Sequence, residues 1–474
     1  MGIIWLFIGI SAACRLGGGS WVTLGSGLTS VNGLDGDPYY SSTYPQLVQA
    51  MYQGAFAVIT PALISGGVVG RIKFWPYMIF LLVWSTVCYD ALAHWMWSAD
   101  GWLGYNPNGG LGAIDFAGGT VVHISSGTSA LTAAYVLGKR LGIDIHNQRP
   151  ANVPFVMLGC TFLWIGWAGF NAGSANSASG LAGLALVNTN VAAAAACMTW
   201  IFLEAGLRGK PTLVGGCIGA VVGLVAITPA AGFVQPGWAI LIGILGSAGV
   251  YGSLRVKHWL RADDTLDVFI SHGIGGIIGS LLTGCFAQTA WNSAGPNGAF
   301  YGNGMQLAYQ TAAICVTLAY ASGCTAVIML LLHYTIGIRI DGERELMGLD
   351  EAIHGESHFI FSMQDLTKEG ATPYQLDIRD VGSDNGKGMP STELTPHPEH
   401  DHRHDIDKHN NNKFNSLTVD TGVPPVVQRV ASASQTRPTT RIRGGDSLSQ
   451  AVAELVSQLA LPGHSYDIGI SRSC

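Results

Sequence analysis

Long apolar segments dominate the first two thirds of the chain. A helix needs about 20 residues to cross the ~30 Å hydrocarbon core of a bilayer. Segments of that kind lie at 49–69, 76–97, 115–138, 152–173, 180–205, 211–229, 237–254, 265–287 and 306–336. A further run at 2–14 contains only about a dozen apolar residues. The pattern predicts an all-α fold, a polytopic membrane helix bundle of about ten spans with a partial first one.

The connections between these segments alternate in charge. No Lys or Arg occurs in the connections at 98–114, 174–179, 230–236 or 288–305. All the remaining connections after residue 70 contain Lys or Arg. Because Lys and Arg are retained on the cytoplasmic side, the basic connections and the C-terminal region are predicted to be cytoplasmic. The basic residues are Arg71, Lys73, Lys139, Arg140, Arg149, Arg208, Lys210, Arg255, Lys257, Arg261, Arg339 and Arg344.

Composition narrows the function classes. With 48% hydrophobic and only 11% charged residues, the 474-residue chain does not resemble an ordinary soluble enzyme. Of the 30 acidic residues, 20 follow residue 338, so the net charge of -6 comes from the tail and does not suggest nucleic-acid binding. The nine cysteines lack the paired spacing of a disulfide framework or zinc site. No nucleophile–base pair, phosphate loop or metal-ligand cluster occurs within the spans, and we expect neither an enzyme nor a cofactor.

Ionisable side chains inside membrane spans are costly and indicate function by default. Two Asp–His pairs have the same spacing, which we call the repeated frame. In each pair the histidine follows the aspartate by eight residues and a glycine follows the histidine by four: Asp115 with His123, and Asp264 with His272. The predicted topology gives the two frames opposite directions, as in inverted-topology transporter repeats. Counting helix rise from each aspartate places both imidazoles near the midplane, about 12 Å from opposite faces. Other ionisable groups in the spans are Asp90, His94 and His333, and we expect the two histidines to form structural hydrogen bonds.

The segment DFAGGTVVHISSG at 115–127 resembles the signature of the ammonium transporter/methylammonium permease/Rhesus family. Further stretches resemble that family in the same order, and together they cover roughly 45–360. They are YQGAFAVITPAL at 52–63, AHWMW at 93–97, WAGFNAGS at 167–174, DDTLD at 263–267, HGIGGIIG at 272–279 and GLDEAIHGE at 348–356.

The resemblance implies a channel-like permease of eleven spans that assembles as a homotrimer in the lipid bilayer, most simply the plasma membrane. By that resemblance, NH4+ is recruited outside and NH3 is conducted inward past twin pore histidines, with methylammonium as an analogue. The implied recruitment residues are Trp97, Ser174, Phe56, Tyr52 and Asp115, the implied aromatic gate is Phe56 with Phe170, and the implied pore histidines are His123 and His272. Whether a proton accompanies NH3 stays open.

The chain departs from the family pattern in two places. The loop at 70–73 lacks the acidic residue that usually precedes Arg71, which suggests a weakened loop or subunit contact. The first family helix is absent, and 2–14 resembles only half of the second. We therefore expect an N-terminally incomplete transporter domain at 1–338. We expect the chain 1–474, expressed alone, to insert partly, accumulate poorly and fail to support growth on low ammonium.

The remainder divides into a predicted ordered cytoplasmic segment at 339–362 and a mostly disordered tail at 363–474. Within the tail, Leu448, Val452, Leu455 and Leu459 recur at helical spacing and predict a short helix at 446–461. The histidines of 397–409 favour a solvated run over a metal site. Two alternatives to transport remain: an ammonium sensor signalling through the tail and its cytoplasmic regulators, and an inactive truncated product.

Overall fold

The computed structural model describes residues 43–106, 109–142, 150 and 152–356. The predicted runs at 2–14 and 446–461, the tail and residues 357–362 of the predicted cytoplasmic segment lie outside these residues. Within them the chain is helical, with two isolated bridges in place of strands. The predicted polytopic helical membrane protein is confirmed.

Nine helices of the described part correspond to the nine long predicted spans. They are α1 Gln46–Val68, α2 Phe74–Trp97, α3 at 119–137, α4 Val153–Gly173, α5 Gly180–Arg208, α6 Leu213–Ile227, α7 Pro236–Ser253, α8 Phe269–Phe286 and α9 Met305–Thr335. Shorter helical segments occur at Val256–Leu260, Ala299–Tyr301, Gly342–Met347 and Asp350–His354.

Six of the nine are long and apolar enough, by length and composition, to cross a membrane: α1, α2, α4, α5, α8 and α9. The others are shorter or carry more Gly, Ser and Thr. In α3, the hydroxyls of Ser125 and Ser126 donate to carbonyls one turn earlier, so these polar side chains are satisfied within the helix. Such a helix belongs inside the bundle, and most of α3 is buried.

Local sequence sets several helix ends. The side chain of Asn152 accepts a hydrogen bond from the Phe155 N–H at the start of α4, and that of Thr212 accepts one from the Gly215 N–H at the start of α6. Gly138 and Gly209 end α3 and α5 with φ of 84° and 77°, a conformation that favours glycine.

The connections meet at two ends of the bundle. At the basic end, Arg71 donates to the carbonyls of Gly138 and Asp263 at 2.7 and 2.6 Å, and the Lys73 N–H donates to the carbonyl of Ile338 at 2.8 Å. The opposite end gathers 98–106, 109–118, 174–179, 228–235 and 287–304. There the Phe116 N–H donates to the Pro229 carbonyl at 3.1 Å.

The interior is packed through small residues and a few buried polar contacts. The Trp84 indole N–H donates to Ser129 at 3.1 Å and Thr325 at 3.0 Å, which joins α2, α3 and α9. A Cβ added at Gly223 or Gly243 would lie 2.5 or 2.3 Å from α5 atoms, so α6 and α7 approach α5 at van der Waals distance. Small residues at helix contacts are typical of membrane bundles.

Candidate functional site

An aromatic vestibule forms where α1, α2 and α4 meet at the end opposite the basic end. The Phe56 ring lies 5.8 Å from Trp97 at 81°, and 5.2 Å from Tyr52 at 71°, between ring centroids. Edge-to-face arrangements of this kind leave ring faces available to a cation. The Trp97 indole N–H donates to the carbonyl of Asp115 at 2.8 Å, which fixes that ring.

Hydroxyl groups complete one wall of the vestibule. The Tyr52 hydroxyl donates to the Phe170 carbonyl at 2.7 Å and lies 2.9 Å from Ser174 Oγ. Ser174 Oγ is also 3.0 Å from the Phe170 carbonyl, to which it can donate. Because a hydroxyl has one proton and two lone pairs, Ser174 keeps capacity to accept an N–H from a bound cation.

Asp115 lies close by but faces the protein. Its Oδ1 accepts from the N–H groups of Gly118 and Gly119 at 2.8 and 2.7 Å, and its Oδ2 from those of Thr120 and Val121 at 2.7 and 3.1 Å. A carboxylate has about four lone-pair positions, and all four are used. We expected Asp115 to begin the helix, but α3 begins at Gly119, so the carboxylate caps the helix from the preceding loop.

Five rings run in sequence from the vestibule to the middle of the bundle. Phe56 lies 4.5 Å from Phe170, Phe170 lies 6.0 Å from His123, and His123 lies 5.2 Å from His272, between centroids. With Trp97 above Phe56, these side chains form a continuous line. The two phenyl rings therefore separate the vestibule from the histidines.

The two imidazoles are in direct contact. The Nδ1 atoms of His123 and His272 are 3.2 Å apart, so one donates and the other accepts. Both rings are buried, with 1% and 8% exposure. His123 Nε2 has no hydrogen-bond partner among the described residues. Each histidine sits in a π-helical turn, Gly119–Ile124 or Phe269–Ile274, and such turns are frequent at functional sites.

The glycine of each repeated frame has a visible purpose. A Cβ on Gly127 would lie 2.4 Å from the Gly273 nitrogen, and one on Gly276 would lie 3.1 Å from the His123 Cβ. Each glycine thus admits the helix that carries the opposite histidine. The aspartates correspond as well, since Asp264 Oδ2 accepts from the Phe269 N–H at 2.7 Å before the second π-turn.

Trp167 is a member of the site to which sequence reasoning assigned no role. Its ring stacks on His123 with centroids 5.4 Å apart at 25°, and its N–H donates to Thr228 at 2.9 Å. The available signal was its position three residues before Phe170, which places both rings on one face of α4.

The two other histidines of the spans lie outside the pair. His333 is exposed near the end of α9. His94 is buried in α2.

Comparison with known proteins identifies the family. The profile of the Ammonium Transporter Family matches residues 1–359. The chain belongs to the ammonium transporter family. An ammonium transporter of Bacillus subtilis (strain 168) is 42% identical over 367 residues, which cover 76% of this chain and 87% of that protein. Ammonium transporter MEP2 of Saccharomyces cerevisiae is 38% identical over 335 residues, 68% of this chain and 66% of that protein.

Solved structures agree with this assignment. The crystal structure of Saccharomyces cerevisiae Mep2 has a TM-score of 0.65 and 37% sequence identity, and the match covers 72% of this chain and 79% of that one. A structure described as a sensor Amt protein has a TM-score of 0.65 and 29% identity over 74% of this chain and 86% of its own. As a family member, this chain is a multi-pass membrane protein, and its relatives are named as transporters.

Proposed function

We propose that this ammonium transporter family member recruits NH4+ in the vestibule of Tyr52, Phe56, Trp97 and Ser174 and conducts NH3 past His123 and His272. The observation that carries the proposal is the buried Nδ1 contact of 3.2 Å beneath the paired phenyl rings. An ammonium ion over indole and phenyl faces gains roughly 2 kcal/mol or more when desolvated. Ser174 Oγ accepts one of its N–H groups.

Selectivity arises below the vestibule. The stacked rings of Phe56 and Phe170 form the gate, and they offer a metal cation no replacement for its hydration shell. Ammonium passes a proton to water in the vestibule and continues as neutral NH3, which K+ cannot do. Neutral imidazoles offer one donor and one acceptor each, so the pair guides NH3. Asp115 holds the vestibule backbone in place and does not touch the ion, because its four acceptor positions are filled.

The assembly proposed is a homotrimer with one pore per subunit. Helix α4 offers one surface for such an assembly, since Phe155, Phe162 and Ile165 are 69%, 66% and 67% exposed in the single chain. Such a face is covered by lipid or by a neighbouring subunit. The basic end, with residues 339–356 against it, is proposed to be cytoplasmic by the positive-inside rule, and the plasma membrane is the proposed location.

Uptake of labelled methylammonium into cells that lack their own ammonium transporters tests the proposal. We expect His272→Ala to reduce uptake to background while the protein still inserts, because one half of the imidazole pair is lost. His333→Ala, a histidine exposed near the end of α9, is the matched control and should retain uptake. Full uptake by His272→Ala would refute the role of the pair.

A sensor function is the second candidate, favoured by the similarity to the sensor Amt protein. The long C-terminal region at 363–474 would then act on cytoplasmic partners. A growth or signalling phenotype that depends on this region, in cells where methylammonium uptake by the chain is absent, would support the sensor over the transporter.

A further inference from the structure

A third π-helical turn lies inside the spans of the described part. Two of the three, Gly119–Ile124 and Phe269–Ile274, carry the paired histidines. The third, Ser85–Tyr89, interrupts α2 and ends directly before Asp90, whose N–H donates to the carbonyl of Ser85. Because π-turns inside α-helices are frequent at functional sites, this turn marks Asp90 as a third candidate group.

Asp90 is buried, and one of its two carboxyl oxygens lacks a partner among the described residues. It is 2% exposed, and the oxygen without a described partner is Oδ1. An ionised carboxylate is strongly disfavoured in an apolar interior when one of its oxygens has no hydrogen-bond donor. The resting form is therefore the neutral carboxylic acid, in which Oδ1 remains open to accept a hydrogen bond.

The position of Asp90 relates it to the ion path. Asp90, His94 and Trp97 follow at i, i+4 and i+7 and so share one face of α2. Trp97 belongs to the vestibule, and seven residues of helix place Asp90 about 10 Å deeper. Trp97 also lies beside Gly118. His123 follows Gly118 by five residues of α3, so it too lies deeper than Trp97. Asp90 thus lies at about the depth of His123, in a helix segment that packs on the first π-turn of α3.

The helices packed on this part of α2 bring no fixed positive charge. No Lys or Arg occurs in α1, α2, α3 or α9. Titratable side chains of α2 near Asp90 are Cys88, Tyr89 and His94, and those of the packed helices include Tyr52 of α1, His123 of α3, and Tyr320 and Cys324 of α9. Each of these side chains is a thiol, a phenol or an imidazole, which can take part in a hydrogen bond but brings no fixed charge near Asp90.

We propose that Asp90 is a proton-transfer carboxyl that works beside the histidine pair, an inference that rests on the proposed transport function. As NH4+ deprotonates through water in the vestibule, an N–H bond breaks and an O–H bond forms at Asp90 Oδ1. At the same time, the O–H bond at Oδ2 breaks and its proton passes to a water on the basic side. The carboxyl is again neutral, NH3 continues past the histidines, and one charge crosses for each substrate molecule.

The test measures charge movement and methylammonium uptake together in proteoliposomes that contain the full chain. Asp90→Asn keeps the size and one acceptor oxygen but cannot exchange a proton. We expect the charge moved per substrate to fall at least tenfold while uptake continues, and Asp90→Glu to restore it. Glu204→Gln, which removes a buried carboxyl near the basic end, is the matched control and should keep the wild-type ratio.

An unchanged charge ratio in an active Asp90→Asn protein would overturn the proposal. So would a loss of both activities that Asp90→Glu fails to restore, because Asp90 would then be structural. If Asp90→Asn does not insert, infrared difference spectra of the wild-type chain decide: addition of ammonium must shift a carboxylic-acid C=O band, and no shift overturns the proposal. Absence of uptake by the wild-type chain would refute the proposed transport instead.

Discussion

Whether a polar residue of the vestibule can bind ammonium depends on whether it has a free hydrogen-bond acceptor. Ser174 Oγ has a lone pair to offer, whereas both oxygens of Asp115 are occupied by four backbone N–H groups. Gly118, with φ of 114°, turns the backbone so that these N–H groups converge on the carboxylate. Asp115 is therefore a cap for α3. It also supports the Trp97 ring, whose indole N–H donates to the Asp115 carbonyl.

Substitution of Asp115 separates support from direct ion contact. Asp115→Ala leaves four N–H groups without acceptors, and each unsatisfied buried donor costs roughly 1–3 kcal/mol. We expect a lower thermal midpoint and a loss of uptake, with a smaller effect for Asp115→Asn, which keeps one oxygen. Measured melting of detergent-solubilised protein checks this. Wild-type melting together with lost uptake would instead mean that the carboxylate contacts ammonium.

At the scale of elements, the histidine pair depends on how closely α3 and α8 approach. A π-turn in each helix presents the imidazole, and a glycine four residues after the histidine admits the partner helix. The contact is reciprocal between the two helices. Gly127 of α3 lies against Gly273 of α8, and Gly276 of α8 lies against the backbone of Gly119 of α3. The inverted repeat proposed from the sequence frame thus has a reciprocal contact in three dimensions.

Gly127→Ala tests this approach. Its Cβ would lie 2.4 Å from the Gly273 nitrogen, so the helices must separate and lengthen the contact between the histidines. We expect methylammonium uptake to fall at least tenfold. Gly252→Ala, at a position of α7 with open space around it, is the control and should be neutral. Equal uptake in both variants would show that the spacing is tolerant.

At the scale of the whole molecule, the basic end joins loops that are far apart in sequence. Arg140 pairs with Asp263 at 2.7 Å, and Arg339 with Glu345 at 3.0 Å. Arg71 is fully buried, and its guanidinium binds backbone carbonyls of three segments although the acidic residue expected before it is missing. Burial lowers the pKa of Arg71 to about 10, which still leaves it charged at neutral pH.

The pair of Arg140 and Asp263 predicts acid sensitivity. Burial opposes ionisation of Asp263, but hydrogen bonds from Arg140 outweigh it and hold the pKa below its ordinary value of 3.8. A depressed folded pKa gives stability that is present above pH 3.8 and is lost as pH falls through the folded value. We expect Asp263→Asn to lower the unfolding free energy by about 3 kcal/mol at neutral pH. Its melting curve should converge with that of the wild type as pH falls through the folded pKa of Asp263, which lies below 3.8. A constant difference at all pH values would contradict this.

Deletion of 363–474 tests the proposed division of the chain. The described residues after α9 are bound at the basic end, where the Glu345 carboxylate accepts from the Leu141 N–H at 2.7 Å. We expect uptake by a correctly inserted deletion variant to remain within about twofold of the full chain, since none of the proposed pore residues is removed. Complete loss of uptake would show that the region is part of the working transporter.

The sequence by itself determined where the spans lie and which histidines correspond. Apolar runs predicted all nine long helices because backbone groups in hydrocarbon must bond within a helix, and the matched frames of His123 and His272 singled out the pair. Tertiary structure decided the rest. Asp115 proved to be a cap outside the helix, and Trp167 proved to stack on His123, because both facts depend on local turns and on helix approach. No periodicity encodes the π-turns, which interrupt the regular i to i−4 hydrogen bonding of the helices that carry them.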